Sequence, residues 1–105
     1  MIELTKENFE TEVLQWPKKT LVFFSGDGCA PCDAIKPFVV ACSEKYGDQL
    51  KFAKLNTSKA RRLAMSQKVM GLPVLAMYEN GQKVESILKE SINEGSVEAF
   101  IQKHI

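Results

Sequence analysis

Two cysteines enclose the segment Cys29-Ala30-Pro31-Cys32, which follows the apolar run Leu21-Val22-Phe23-Phe24 and opens a segment with helical spacing. Cysteines three positions apart in the first turn of a helix have their sulfurs on the same side of that turn. They can therefore close a small disulfide ring and reopen it. The amino end of a helix also carries partial positive charge, which favours a thiolate, the nucleophile of disulfide exchange. The spacing indicates redox chemistry.

The alternative for this cysteine pair is half of a metal site. A closed structural zinc site needs four ligands, and the only other soft ligands in the chain are Cys42 and His104. Cys42 lies about 80° around an ideal helix from Cys32, and we expect it to be a packed small hydrophobic residue. We expect His104 to be solvated near the carboxyl end of a helix. The sequence therefore predicts no metal and no other cofactor.

Length and charge limit the classes of partner. The chain has 105 residues, and its 14 basic and 13 acidic side chains give a net charge of +1. We expect one domain, residues 1–105, that is monomeric and binds neither nucleic acid nor a membrane surface. No apolar run approaches the roughly 18 residues of a membrane span. The first residues lack the basic and apolar regions of a secretory signal, so we expect a cytoplasmic protein.

Helical and strand patterns alternate along the chain. Helical spacing predicts a helix capped by Thr5 that buries Phe9 and Val13 and ends at Trp16-Pro17. Further helices are predicted at 29–46, 58–67 and from Asn93 onward. Strand patterns predict 21–25, 51–56, 74–78 and 83–88, with 1–4 as a short edge strand, and Asn80-Gly81 is a hairpin signal. Strands separated by helices run parallel, so the pattern predicts an α/β fold with a central mixed β-sheet and helices on both faces.

Several side chains receive structural rather than functional interpretations. We expect the last helix to bury an apolar stripe formed by Val97, Phe100, Ile101 and Ile105. The basic run of Lys59, Arg61 and Arg62 is interpreted as a solvated face. We expect Met65, Met70 and Met77 to be core or groove-lining residues.

Four landmarks give the chain a family resemblance. In order they are Cys29-Ala30-Pro31-Cys32 with the helix containing Pro37, then Ala53-Lys54-Leu55-Asn56, Gly71-Leu72-Pro73 and the Asn80-Gly81 hairpin. On these residues the chain resembles thioredoxins over essentially its whole length. The resemblance implies the thioredoxin fold, with Cys29 as the attacking cysteine and Cys32 as the resolving one. It also implies a cis bond before Pro73 and docking of substrate at Gly28, Ala30, Pro31, Leu72 and Pro73, where the Leu72 backbone pairs with a substrate strand.

The resemblance implies a thiol-disulfide oxidoreductase that reduces protein disulfides through the Cys29/Cys32 cycle. Its partners would be a thioredoxin reductase, which restores the dithiol, and disulfide-containing client proteins. Two alternatives remain: a dedicated electron donor to one enzyme system, and a non-catalytic interaction module with the same fold. An oxidase would need a strongly stabilised Cys29 thiolate, which the acidic neighbours Asp27 and Asp33 disfavour.

The chain also departs from the usual thioredoxin pattern. The Gly28-Cys29-Ala30-Pro31-Cys32 segment resembles thioredoxins of amino-acid-fermenting anaerobes. The usual lysine after the second cysteine is Asp33, and the usual buried acid beneath the site is Phe23, which cannot carry the proton of the resolving cysteine. We hypothesise that water, Asp27 or Asp33 takes that proton, or that the resolving step is slower. Lys54, the usual neighbour of the acid, is expected either to reach toward Asp27 or water or to be exposed.

Overall fold

A five-stranded mixed sheet runs through the molecule. The computed structural model describes residues 1–105, and the strands lie in the order β1-β3-β2-β4-β5. Their bounds are β1 Ile2–Leu4, β2 Lys19–Ser25, β3 Lys51–Asn56, β4 Val74–Glu79 and β5 Gln82–Ile87. Strands β1, β3 and β2 are parallel, whereas β4 runs antiparallel to β2 and to β5. The predicted mixed sheet and its amino-terminal edge strand are confirmed.

Strand β2 lies at the centre of the sheet because it is apolar on both faces. All residues from Thr20 to Phe24 are buried. Leu21 and Phe23 point to one face, and Val22 and Phe24 point to the other. Such a continuous apolar run is typical of a strand that is covered on both sides.

Helices cover both faces, as predicted. The helices are α1 Ala30–Tyr46, α2 Arg61–Ser66 and α3 Glu94–Lys103. Helices α1 and α3 pack on one face and form the α1/α3 cluster, which includes Cys32, Val39, Phe52, Phe100 and Ile101. Helix α2 packs on the other face in the α2 cluster, which includes Phe9, Val13, Leu55, Ala64 and Tyr78.

Two predicted helices are shorter than the sequence indicates. The helix expected after Thr5 is only a π-helical turn at Glu10–Leu14, although Thr5 Oγ1 does accept backbone hydrogen bonds and Phe9 and Val13 are buried. The helix expected at 58–67 is split into a 3-10 turn, Thr57–Lys59, and helix α2. The break lies at Ala60, with φ −151° and ψ 55°, where the side chain is buried in the α2 cluster.

The carboxyl-terminal helix begins where its capping residue predicts. Asn93 Oδ1 accepts from the Ser96 backbone N–H, and Ser96 Oγ accepts from the Asn93 backbone N–H, both at 2.9 Å. Val97, Phe100 and Ile101 are buried as expected. The prediction for Ile105 is wrong: α3 ends at Lys103, and Ile105 is 49% exposed.

His104 is not the solvated residue that the sequence predicts. Its ring lies edge-on to Phe100 at 5.2 Å, and its Nε2 is 2.9 Å from Glu85 Oε1 on β5. A carboxylate on the neighbouring strand therefore holds the imidazole against the end of α3. Lys103 Nζ contacts the other oxygen of Glu85 at 3.0 Å.

The remaining surface expectations have mixed outcomes. Met77 is buried, but Met65 and Met70 are 70% and 90% exposed and are not core residues. Lys59, Arg61 and Arg62 are exposed, as expected. Asn80 and Gly81 have φ of 53° and 77° and connect β4 to β5, which confirms the hairpin. None of the helices is long and apolar enough to cross a membrane.

Candidate active site

Cys29 and Cys32 form a disulfide bond at the amino end of α1. The S–S distance is 2.14 Å and the Cα atoms are 5.2 Å apart. Cys29 has an extended backbone and occupies the N-cap position, where it is half-buried. Cys32 lies in the first turn and is only 1% exposed. The two sulfurs therefore differ in how easily another molecule can reach them.

Helix α1 directs a backbone donor at the more exposed sulfur. The Cys32 backbone N–H donates to Cys29 Sγ at 3.2 Å. Together with the partial positive charge of a helix amino terminus, this donor favours negative charge on Cys29 when the bond is reduced. Asp33 is an exposed carboxylate in the first turn of α1. Its negative charge disfavours a negative charge on Cys29.

The position beneath the disulfide is apolar. Phe23 is 1% exposed and belongs, with Cys32, to the α1/α3 cluster. Lys54 is the register partner of Phe23 on β3 and is half-buried. Lys54 forms no salt bridge, and the Asp27 carboxylate accepts a hydrogen bond from Asn56. The expected approach of Lys54 to Asp27 is therefore wrong.

A hydrogen-bond network holds the loop that precedes Cys29. The Asp27 backbone N–H donates to Ser58 Oγ at 3.0 Å, and Asn56 Nδ2 donates to Asp27 Oδ1 at 2.9 Å. Asn56 Oδ1 in turn accepts from the Ser58 backbone N–H at 2.9 Å, and Thr57 Oγ1 donates to the Ser25 carbonyl at 2.9 Å. No motif in the sequence predicts this network. Its only signal is the polar run at 56–58, directly after a buried strand.

The two glycines of that loop have different surroundings. A Cβ on Gly26 would lie 2.8 Å from Leu72 Cδ1, so the absence of a side chain lets Leu72 approach. Gly28 has φ +68°, which favours glycine, and nothing lies within 4 Å of where its Cβ would be. The loop is therefore open to another molecule at Gly28, one of the docking residues that the resemblance implies.

The Gly71-Leu72-Pro73 segment reaches the same end of the sheet. Val74 begins β4 and pairs with Phe24, one residue before β2 ends. The Leu72–Pro73 peptide bond is cis, as the resemblance implies, and Pro73 is buried. Leu72 is half-buried and packs against both core clusters. Ala30 and Pro31 are exposed in the first turn of α1, between the two cysteines of the disulfide.

The other two metal or redox candidates lie outside this region. Cys42 is a free, buried thiol in the α1/α3 cluster, and burial raises its pKa, with a smaller contribution from the nearby Glu98 carboxylate. Cys42 is thus a packed residue, as expected. His104 belongs to the contact between α3 and β5. No three His, Cys, Asp or Glu side chains are grouped as metal ligands.

Comparisons with known proteins agree with this geometry. The thioredoxin family model matches residues 1–103. A thioredoxin of Acetoanaerobium sticklandii is 48% identical over the full length of both chains. A thioredoxin of Peptoclostridium acidaminophilum is 43% identical over this whole chain and 96% of its own length. One from Buchnera aphidicola is 30% identical with the same coverage.

The first two relatives come from amino-acid-fermenting anaerobes, so the narrower resemblance of the Gly-Cys-Ala-Pro-Cys segment is also confirmed. Three observations support the same assignment: the cysteine pair at disulfide distance, the mixed sheet and these matches. The chain belongs to the thioredoxin family and is a thiol-disulfide oxidoreductase.

Proposed function

We propose that the chain, as one domain spanning residues 1–105, reduces protein disulfides with Cys29 as the attacking and Cys32 as the resolving cysteine. One observation carries the assignment of roles: Cys29 is half-buried with a backbone N–H directed at its sulfur, whereas Cys32 is 1% exposed. The accessible sulfur that is favoured as a thiolate attacks first.

In the first step the Cys29 thiolate attacks one sulfur of a client disulfide. A bond forms between Cys29 Sγ and that sulfur, and the other client sulfur leaves as a thiolate and takes up a proton. Cys32 is only 1% exposed, so the client disulfide meets Cys29 first.

In the second step Cys32 loses its proton and attacks Cys29 Sγ. The client leaves as its second thiolate, and the Cys29–Cys32 bond forms. Two electrons and two protons have then moved from the dithiol to the client. Phe23 has no group that can accept the Cys32 proton. Water or one of the exposed carboxylates of Asp27 and Asp33 serves as the acceptor.

Client docking would use the residues around the disulfide. The open space at Gly28 and the exposed Ala30 and Pro31 allow a client backbone to approach Cys29. The Leu72 backbone would pair with an extended client segment beside Pro73, since an unpaired edge can accept an added strand.

Regeneration requires a donor of two electrons. Members of the thioredoxin family are generally reduced by a thioredoxin reductase, and we propose the same partner here. We further propose that the protein works as a monomer in the cytoplasm, without binding nucleic acid or a membrane.

A trapping experiment tests the roles of the two cysteines. Reduced Cys32→Ser protein, mixed with oxidised insulin, should accumulate a covalent complex that a thiol reductant dissolves. Cys29→Ser should form none, because the buried Cys32 cannot reach the client. Cys42→Ser is the matched control and should behave like the unchanged protein. Equal trapping by the Cys29 and Cys32 variants would contradict the assignment.

The direction of electron flow is tested by the reduction potential of the Cys29–Cys32 pair. Equilibration with a dithiothreitol series should give a value near or below about −270 mV, as for a reductant suited to the cytosol. A value near about −120 mV would instead identify an oxidant and overturn the proposed direction.

A further inference from the structure

A groove of about 280 Å³ lies beside Leu72, on the side of the molecule that carries α2. Most of its wall is formed by Arg61, Ala64, Met65, Val69, Met70 and Leu72. Leu72 also packs against the cluster that contains Cys32 and approaches Gly26 of the loop before Cys29. Leu72 thus connects the groove to the loop that precedes Cys29.

Two methionines project from this groove into solvent. Met65 is 70% exposed and Met70 is 90% exposed, which makes them the most exposed large apolar side chains of the protein. Neither contributes to a core cluster. Methionine is flexible and polarizable, so it adapts to apolar side chains of different shapes. The pair fits a large apolar group supplied by another molecule.

The segment of the chain that forms most of the groove carries charge of one sign. Residues 49–78 contain six lysines and arginines and no aspartate or glutamate, although the net charge of the whole chain is only +1. Arg61 lines the groove, and Arg62 and Lys68 are exposed nearby in the sequence. None of these three side chains forms a salt bridge. Their charge is thus available to a carboxylate of a partner.

We propose that Arg61, Met65 and Met70 form a specificity subsite for disulfide clients that binds a large apolar side chain with acidic neighbours. The inference rests on the proposed function, because a client strand paired with Leu72 would also pass Met70, two residues earlier. The partner is a polypeptide segment, because phosphates alone would satisfy the basic residues but leave both methionines exposed.

Disulfide-linked homodimers of short peptides test the subsite, since attack at either sulfur gives the same product. In the first peptide, named Leu/Glu, one cysteine is flanked by leucine and glutamate. In the second, named Leu/Lys, lysine replaces the glutamate. In the third, serine replaces the leucine. The second-order rate constant of reduction by prereduced protein is measured by rapid quenching and chromatography. The protein should reduce the Leu/Glu peptide about tenfold faster than the Leu/Lys peptide at low ionic strength, with a smaller difference at high salt.

Variants assign the preference to individual side chains. Arg61→Gln should remove most of the preference for glutamate, and Arg61→Lys should retain it. Met65→Ser with Met70→Ser should remove the preference for leucine. Lys18→Gln is the charge-matched control, because Lys18 is exposed just before the amino end of β2, away from the groove, and its variant should keep both preferences.

Reduction of hydroxyethyl disulfide, a small neutral compound, distinguishes failure of the proposed function from failure of the proposed subsite. If the unchanged protein does not reduce it, the proposed function is wrong. If the protein reduces it but shows equal rates with all peptides, or if Arg61→Gln keeps the preference for glutamate, only the subsite is wrong. A dimer detected by sedimentation and abolished by Met70→Ser would assign the groove to self-association and would also overturn the proposal.

Discussion

At the scale of single residues, Phe23 affects the proposed cycle because it offers no acceptor for the proton of Cys32. It lies in the α1/α3 cluster with Cys32, where the family resemblance implies an acid. A carboxyl group at this position would give the resolving thiol a nearby proton acceptor. We expect the rate of the second step in the unchanged protein to depend on pH only through the cysteines and surface or solvent acceptors.

Phe23→Asp should therefore add an inflection to the pH profile of insulin reduction between about pH 6 and 9, since burial moves a carboxyl group toward neutral titration. The variant should also lose roughly 3 kcal/mol or more of stability, because it removes a buried ring and buries a polar group. Urea unfolding measures that loss, and circular dichroism confirms that the variant is folded during the assay.

Phe23→Leu is the matched control for this variant. It should cost about 1 kcal/mol and leave the shape of the pH profile unchanged. A Phe23→Asp profile that superimposes on that of the unchanged protein would contradict the view that the missing acid limits the proton path.

At the scale of elements, the loop between β2 and α1 depends on the 3-10 turn after β3. Ser58 Oγ accepts from the Asp27 backbone N–H, and Asn56 Nδ2 donates to the Asp27 carboxylate. These contacts fix the backbone one residue before Gly28, where the loop requires a left-handed φ of 68°. The turn thus positions Cys29 without touching its sulfur.

Ser58→Ala should leave an unpaired Asp27 N–H and loosen this loop. We expect stability to fall by about 1 kcal/mol and KM for insulin to rise severalfold, with a smaller change in kcat because α1 still holds both cysteines. Ser58→Thr, which keeps a hydroxyl, should restore most of the KM. A fall in kcat with unchanged KM would show that the turn acts on the chemistry rather than on the position of the loop.

The same elements show what the sequence could predict. Strand β2, the Asn80-Gly81 hairpin and the Asn93 cap depend on neighbouring residues, so local patterns were sufficient for them. The cysteine pair is a local signal as well. The break at Ala60 has no glycine or proline to mark it, because burial in the α2 cluster decides it.

Contacts between distant residues were beyond the sequence. Asn56 and Asp27 are 29 positions apart, and His104 and Glu85 are 19 apart, so neither contact leaves a periodic pattern. For a related reason, the sequence left open whether Met65 and Met70 lie in the core or line a groove. Apolar residues are usually assigned to the core, and only the packing of α2 shows which of its sides faces solvent.

At the scale of the whole molecule, two carboxylates connect α3 to other elements, one to β5 and one to α1. Glu85 on β5 contacts Lys103 and His104 at the end of α3. Glu98 on α3 contacts Lys45 and accepts a short hydrogen bond from the Tyr46 hydroxyl, both on α1. Hydrogen bonds from Lys103 and His104 lower the pKa of Glu85, and those from Tyr46 and Lys45 lower the pKa of Glu98.

The lowered pKa values of Glu85 and Glu98 predict that the protein becomes less stable in acid. Each group contributes its stabilisation above the ordinary carboxyl pKa of 4.5, where the unfolded chain is also ionised. The contribution is lost as pH falls from there through the lower pKa of the folded state. The free energy of unfolding, measured with urea, should therefore decrease below about pH 4.5. Glu85→Gln with Glu98→Gln should show a smaller decrease between pH 7 and pH 3.5.

The comparison needs a control for the general effect of removing an acid. Glu44 is exposed on α1 and forms no salt bridge, so Glu44→Gln should show the same decrease as the unchanged protein. Glu85 and Glu98 each contact residues on another element. Loss of these contacts should therefore lower the stability of the whole chain to unfolding, rather than only loosen the end of one helix. If the double variant loses as much stability on acidification as Glu44→Gln does, these two carboxylates do not couple α3 to α1 and β5, and the acid sensitivity must come from other groups.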